Sequence, residues 1–358
     1  MHNDEYFMSR ALVLAARGLY TTTPNPRVGC VIVNDDEIVG EGWHVNCGGA
    51  HAEVNALKQA DTRAVGGTLY VTLEPCAHYG KTPPCVDVIV KSGISRVVFG
   101  AKDPNPLVDG RGMEHLKANG ISVEGGLFSE KSEELNLGFF KRMRYGKPWV
   151  RVKVAAGLDG KTALENGRSQ WITSKESRVD AHKLRAQSCV VLTGVGTVVE
   201  DDPRLTVRHT ETSRQPGKVI VDSQLRSPLD AHLFKTLGVT LATAVKEQNR
   251  LDDFIQKGVN VLVLPDSEGR VDLDALLVEL ANQQVNEVLV EAGINLHSAL
   301  LHRHLIDEMI IYYAPKFLGA QGRGMFFLDE LNSMDQVLER DVIDITSIGK
   351  DFRVTVRF

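Results

Sequence analysis

"PCAHYGKTPPC", residues 75–85, is the stretch on which the reading of this chain turns. It carries two of the five cysteines, Cys76 and Cys85, with eight residues between them, among prolines, a glycine and polar side chains. Neither lies in an apolar run, so core packing does not account for them. A disulfide, a metal site and chance are the alternatives. The flanks supply the elements around the pair. "TLYVTL" (68–73) reads as a strand leading to Cys76, and "CVDVIVKSG" (85–93) predicts a helix that starts on Cys85. "HAEVNALKQA" (51–60) predicts a second helix, with His51 at its N-terminal end and Glu53 two residues further.

Outward from there, residues 4–17 predict a helix, "VGCVIV" (28–33) and "EIVGEGW" (37–43) a hairpin turning at "NDD", and "RVVFGA" (96–101) a further strand. A helix is expected at 112–120, a short strand at "ISVEGG", and one last helix over "SEELNLGFFKRMR". Strands alternating with helices imply a mostly parallel sheet covered on both faces. At "YGKPW" (145–149) a glycine and a proline interrupt the pattern, and a second α/β series opens with "WVRVKVAA". Its strands are expected at 189–194, 218–223, 259–265, 286–293 and 308–315, with a closing hairpin in "DVIDITSIGKDFRVTVRF". We therefore expect two domains, 1–147 and 148–358.

Composition narrows the classes. The chain has 358 residues, 43% hydrophobic and 24% charged, enough apolar material for two cores. Its net charge of −5 offers no global field for nucleic acid, so phosphate must be met by local cations. No apolar run approaches the ~18 residues of a membrane span, and the acidic, then amphipathic start does not read as a signal peptide. A cytoplasmic location is expected. Thiols there stay reduced, which weakens the disulfide alternative.

Zinc is held by sulfur and imidazole, and a catalytic zinc keeps one position for water. Cys76, Cys85 and His51 supply such a set, two of them at helix N-termini, whose partial positive charge favours thiolate. A coordinated water then loses its proton near neutral pH, and Glu53 is placed to take that proton and deliver it to a ring nitrogen and to departing ammonia. His-x-Glu followed by Pro-Cys and a second Cys is the pattern of zinc-dependent base deaminases. The usual two-residue spacing between cysteines is lengthened here to eight, which costs little in loop-closure entropy and leaves "AHYGKTPP" to rim a pocket. A structural zinc site with His78 as fourth ligand is the alternative, but it leaves Glu53 without a role. Cys30, inside a strand, reads as a small core residue. Asn25, between two prolines, and His44, near the end of "GEGWH", are candidates to read a pyrimidine edge.

"TPNPRVGCVIV", "GEGWH", "HAEVNAL", "YVTLEPCAHYGKTPPC", "DPNPLVDGRG" and "LNLGFFKRM" together resemble the deaminase half of the bacterial bifunctional riboflavin-biosynthesis deaminase–reductases. The resemblance continues through "VKVAAGLDGKTA", "SQWIT", "LRAQSCVVLTGVGTVVEDDPRLTVR", "VIVDSQ" and "VEAGINLHSALL", and the eight-residue cysteine spacing belongs to that family. It implies a cytidine-deaminase-like α/β/α domain followed by a dihydrofolate-reductase-like α/β domain. The first would hydrolytically deaminate 2,5-diamino-6-ribosylamino-4(3H)-pyrimidinone 5′-phosphate. The second would reduce the ribosyl group of 5-amino-6-(5-phosphoribosylamino)uracil to ribityl with NADPH. Zn2+ and NADPH are the implied cofactors, phosphorylated pyrimidines the partners, and a homo-oligomer, dimer or tetramer, the expected assembly.

In the second half, Gly194-x-Gly196 lacks the third small residue of a dinucleotide fingerprint, with Val199 in its place. Helix-start amides can hold cofactor phosphates instead, which points to Gly293, Ile294, Asn295, Leu296, His297, Ser298 and Ala299. Arginine forks suit a sugar phosphate; Arg185, Arg204 and Arg208, with Lys153 and Lys161, are the candidates. By motif, the resemblance implies substrate contacts at Ser169, Arg185, Leu205, Arg208 and Glu291. It implies cofactor contacts at Ala155, Trp171, Thr197, Asp201 and Ser223. Lys153 and Asp201 are candidates to supply or orient a proton. His297, His302 and His304 read as surface residues rather than metal ligands. Two competing functions remain: a cytidine- or tRNA-adenosine-type zinc deaminase with an unrelated C-terminal domain, against which the net negative charge argues, and a zinc-stabilised binding protein without catalysis.

Overall fold

The computed structural model describes residues 4–77, 83–105, 110–328 and 330–358. The chain divides into two compact units, Met1–Gly146 and Lys147–Phe358.

The first unit runs α1 (Asp4–Ala16), β1 (Gly29–Asn34), β2 (Glu37–Trp43), α2 (Ala52–Ala60), β3 (Thr68–Leu73), α3 (Cys85–Lys91), β4 (Arg96–Ala101), α4 (Arg111–Ala118), β5 (Ser122–Gly125), α5 (Ser129–Glu134) and α6 (Leu137–Tyr145). The strands order as β2-β1-β3-β4-β5. Alternate residues of β1 serve two cores. Cys30 and Ile32 pack with α2 and α3, while Val31 and Val33 pack with α1. Burial on both faces is why the strand reads as an unbroken apolar run. The sheet departs from the mostly parallel arrangement expected. β1 is antiparallel to both neighbours, and only β3-β4 and β4-β5 pair in parallel. The hairpin turns through Asp35 and Asp36, both at positive φ (50° and 62°), a backbone that matches strand twist and that Asp tolerates.

The expected single helix over 132–144 is also broken. Asn136 leaves helical geometry (φ −131°, ψ 23°) between α5 and α6. Its side chain works as a surrogate peptide: Oδ1 accepts the Arg27 amide at 2.8 Å and Nδ2 donates to the Arg27 carbonyl at 3.0 Å. Helical periodicity cannot reveal a partner so distant in sequence. α6 then ends on Gly146 at φ 66°, the left-handed cap glycine favours.

The second unit runs β6 (Trp149–Gly157), α7 (Lys175–Gln187), β7 (Val190–Gly194), α8 (Val195–Asp201), β8 (Gly217–Val221), β9 (Val239–Thr243), α9 (Gln248–Gln256), β10 (Asn260–Val263), α10 (Leu273–Asn282), β11 (Glu287–Val290), α11 (Ile294–His302), β12 (Glu308–Ala314), β13 (Asp341–Ile348) and β14 (Asp351–Arg357). Its sheet orders as β10-β9-β8-β7-β11-β6-β12-β14-β13. Pairing is parallel from β10 to β12 and antiparallel through the β13-β14 hairpin. β9 was not among the strands expected. Val190, Leu192, Val288 and Val290 face one core, and Val191 and Leu289 the other. No described helix is long and apolar enough to cross a membrane.

Asn136 gives the first prediction. Asn136→Ala strands the amide and carbonyl of Arg27, itself buried at 6% exposure. The variant should lose about 2–4 kcal/mol of stability in the first unit, read by urea unfolding followed with a probe in that unit.

Candidate active sites

In the first unit, α2 lies backbone-close on β2. A Cβ on Gly42 would sit 2.4 Å from the Ala52 carbonyl oxygen and from the Ala56 amide. Glycine on the strand and alanine on the helix permit this approach, and it fixes the start of α2. His51 is the N-cap there, with extended backbone and no side-chain capping bond, so its imidazole is available. Cys85 is the first residue of α3, and Cys76 stands in the turn after β3. The three ligand atoms lie within 4.8 Å of one another. His51 Nδ1 is 3.2 Å from Cys85 Sγ and 3.6 Å from Cys76 Sγ, and the Cys85 amide donates to Cys76 Sγ at 3.3 Å. Donors around a tetrahedral zinc, at about 2.0–2.3 Å from the ion, stand about 3.5–3.8 Å apart. The set therefore fits such an ion, with Nδ1 as the imidazole ligand.

Protons are shared unequally in this cluster. Hydrogen bonds from the Cys85 thiol and from His51 push Cys76 down to about 4, with burial opposing. The bond to Cys76 raises Cys85 and lifts His51 to about 9. Glu53 is buried at 4% exposure, and burial raises its carboxyl above the usual range while His51 opposes. The neighbouring Cys85 also opposes that rise. Cys30 is fully buried in the core beneath. His78 and most of the rim, residues 78–82, lie outside the described residues.

Asn25 and His44 are brought to the same place. His44 Nδ1 lies 3.1 Å from the Ala50 carbonyl, which requires a proton on Nδ1. Nε2 then accepts from Asn25 Nδ2 at 3.1 Å. Burial holds His44 below its ordinary pKa and so neutral. Its ring meets that of His51 edge-on at 5.4 Å.

In the second unit a cleft of about 1220 Å³ opens above β6, β7 and β11. It gathers Lys153, Ala155, Ser169, Trp171, Arg185, Thr197, Asp201, Arg204, Leu205, Arg208, Ser223, Glu291 and Gly293 through His297, with Ala299. Two expected residues do not line it. Ser298 is buried, donating to the Ile294 carbonyl at 2.7 Å and accepting the Phe327 amide at 2.8 Å. Lys161 is also absent from the lining. His297 corrects the surface reading. It is 4% exposed, its Nε2 has no hydrogen-bond partner among the described residues, and burial, then Lys153, hold it neutral at about 4.

The floor of the cleft is a charge cluster. Arg185 grips Glu291 with two bonds, Nε–Oε1 at 2.5 Å and Nη2–Oε2 at 2.8 Å. Burial alone would raise Glu291, but Arg185 and then Lys153 draw it down to about 2. Burial lowers Lys153, with Glu291 opposing. Burial, then Arg185 and Arg204, lower Arg208, so added negative charge would be welcome beside it. His182 was missed by sequence reasoning. Its Nδ1 accepts the Arg208 amide at 3.2 Å, and burial with the neighbouring arginines takes it to about 4. Arg178, His182 and Arg185 recur at i, i+4 and i+7 on α7, a one-face spacing that carried the signal.

Two units with these sites define a class, a zinc-site deaminase joined to a reductase on one chain. Residues 1–101 match the cytidine and deoxycytidylate deaminase zinc-binding region, and residues 148–354 match the RibD C-terminal domain. The riboflavin biosynthesis protein RibD of Escherichia coli is 46% identical over 360 residues, covering 97% of each chain. The solved structure of Acinetobacter baumannii RibD superposes with a TM-score of 0.93 at 44% identity, over 99% of this chain and 98% of that one. A diaminohydroxyphosphoribosylaminopyrimidine deaminase/5-amino-6-(5-phosphoribosylamino)uracil reductase from Thermotoga maritima does so with 0.87 at 35% identity and the same coverage. The chain belongs to the RibD family, the bifunctional deaminase–reductases of riboflavin biosynthesis.

The depressed carboxyl of Glu291 has a measurable consequence. Its contribution is complete above the ordinary value of 4.5 and is lost as pH falls toward about 2. The native chain should lose about 3 kcal/mol over that window through this one group. Glu291→Gln should lack that part of the slope in urea titrations at stepped pH.

Proposed function

We propose that the first unit deaminates 2,5-diamino-6-ribosylamino-4(3H)-pyrimidinone 5′-phosphate. The second then reduces the ribosyl group of 5-amino-6-(5-phosphoribosylamino)uracil to ribityl with NADPH. The observation that carries the first half is the convergence of His51 Nδ1, Cys76 Sγ and Cys85 Sγ within 4.8 Å beside a buried Glu53. His51, Cys76 and Cys85 would hold Zn2+, which when bound makes water acidic enough to attack a ring carbon near neutral pH. Glu53, its carboxyl raised by burial, takes one proton of the attacking water at Oε and gives it to the ring nitrogen, then takes the second proton from the newly added hydroxyl and gives it to the leaving amine. The neutral His44 fixes the Asn25 amide with Nδ2 toward itself, which leaves Oδ1 as an acceptor aimed the other way, toward a donor on the pyrimidine edge.

In the second unit, the amides at the start of α11 favour cofactor phosphate, and Ala155, Trp171, Thr197, Asp201 and Ser223 line the remainder of the proposed NADPH site. Arg208, crowded by other cations, suits the substrate phosphate, with Ser169 and Leu205 beside it in the lining. Arg185 is committed to Glu291 and orients that carboxylate. Reduction of the opened sugar needs a proton to balance the hydride. Lys153, whose ammonium is destabilised by burial, is the proposed donor. His297 Nε2, buried and unpartnered among the described residues, awaits a ligand group. A homo-oligomer is supported by β13, an edge strand on which Val342, Ile343 and Ile345 are exposed.

Glu53→Gln should reduce ammonia release at least about 1,000-fold while zinc content and NADPH oxidation on the deaminated product stay at native levels. Full ammonia release by that variant would refute the hydrolase role. The native particle should have a mass above the 39.4 kDa of one chain, measured by light scattering. Ile345→Lys on the exposed edge should shift it toward that value.

A further inference from the structure

We propose that Glu74 is a positioning residue for deamination, one that sets the polar shoulder after β4 against the metal-ligand turn after β3. The inference rests on the deaminase reading above. Glu74 lies two residues before Cys76 and is 3% exposed. Among the described residues its carboxylate meets backbone amides only: Oε2 accepts from Asp103 at 3.4 Å and from Gly110 at 3.1 Å, and Oε1 accepts from Met113 at 3.2 Å. A single oxygen therefore holds amides at 103 and at 110, and its partner oxygen holds the first turn of α4.

The chemistry of the group matters as much as its place. Three converging donors need an acceptor that brings no donor of its own, which is what an ionised carboxylate is. A glutamine would turn an N–H toward another N–H. Burying a charge is costly unless it is fully hydrogen-bonded, so a fold that keeps one here gains alignment from it. The backbone agrees. The Glu74 amide donates to the Ala101 carbonyl at 2.9 Å, and a Cβ on Gly112 would lie 2.1 Å from the Pro75 carbonyl oxygen. The start of α4 is thus pressed against the turn that delivers Cys76.

What the clamp aligns are groups at the carboxyl ends of two parallel neighbours, β3 and β4, where ligands of open α/β sheets bind. On the β4 side stand Asp103, buried, and Asn105, whose amide donates to Asp103 Oδ1 at 2.8 Å. On the β3 side stands Cys76. Cys76 has other supports, since its Sγ accepts the Cys85 amide and its carbonyl accepts the Val86 amide at 3.3 Å. Loosening Glu74 should therefore shift the polar shoulder more than the ligand, and substrate should feel it more than the ion.

The test uses the full chain with both activities assayed separately. Glu74→Gln should keep native zinc content and native reductase constants, and lose about 10- to 100-fold in deaminase kcat/KM, mostly through KM. Unchanged deaminase constants would overturn the proposal. So would zinc lost in step with activity, because Glu74 would then serve the ligand turn alone. Should this variant fail to fold, Gly112→Ala keeps the carboxylate and wedges the same junction, its Cβ falling 2.1 Å from the Pro75 carbonyl oxygen and 3.2 Å from Glu74 Oε1. It should show the same rise in KM with zinc retained, and a native KM there would overturn the proposal. Absence of deamination in the unsubstituted chain would instead refute the functional reading on which this rests.

Discussion

A shared ion allows its ligands little slack, and the first unit is built around that demand. Three donors from three separate elements must meet within a few ångströms. None can be moved without moving a helix or a strand end. The fold meets this by removing side chains where α2 crosses β2, so that Gly42 sits against the Ala52 and Ala56 backbone. The N-terminus of α2 then has one place to be, and His51 goes with it. Cys85 is fixed the same way, as the first residue of a helix whose Val86 and Ile89 are core. Two helix starts facing one point also bring two partial positive charges to it, and hydrogen bonds from Cys85 and His51 favour the thiolate form of Cys76.

The second unit solves a different electrostatic problem. In the proposed reading its cleft accepts negative phosphates and still holds a carboxylate. Pairing Glu291 with Arg185 keeps the acid ionised at the cost of one cation, and leaves Lys153, Arg204 and Arg208 to face incoming charge. The excess shows in the groups that suffer from it. Arg208 and His182 are both depressed, first by burial and then by neighbouring cations. A bound phosphate would relieve that strain, so the charge pattern itself describes the ligand.

Elements whose burial is local were legible in the sequence. The strands 68–73 and 96–101 follow from apolar runs bounded by turn residues, and helix starts at His51 and Cys85 follow from periodicity. The candidate ligands His51, Cys76 and Cys85 came from chemistry and spacing, and the fold brings those three side chains together. What was not legible depends on distant partners. The break at Asn136 exists because its amide reaches Arg27, and no window of sequence contains both. The expected hairpin sets β1 antiparallel to β2, but β1 also runs antiparallel to β3, whereas the alternation of later strands and helices suggested a mostly parallel sheet. β9, "VTLAT", is short and carries two threonines, so its apolar signal is weak although Leu241 and Ala242 are fully buried. His297 was judged alongside His302 and His304, whose exposure says nothing about a residue more than a turn earlier on the same helix.

Three carboxylates of these sites, Glu291, Glu74 and Glu53, differ in what surrounds them, and the difference follows the role proposed for each. Glu291 faces a cleft and is held by an arginine side chain, a partner that can itself rotate and that leaves Lys153 near enough to feel the charge. Such a group can respond when a ligand arrives. Among the described residues Glu74 is held by three peptide N–H groups, which are part of the backbone and cannot turn away. Such a group transmits position rather than charge. Glu53 is a third kind, buried beside the candidate ligands, with its carboxyl raised rather than lowered. Only an acid left short of stabilising partners stays ready to take up a proton. Partner choice alone therefore matches one chain's acids to the roles proposed for them, a charge-tuned binder, a geometric clamp and a proton carrier.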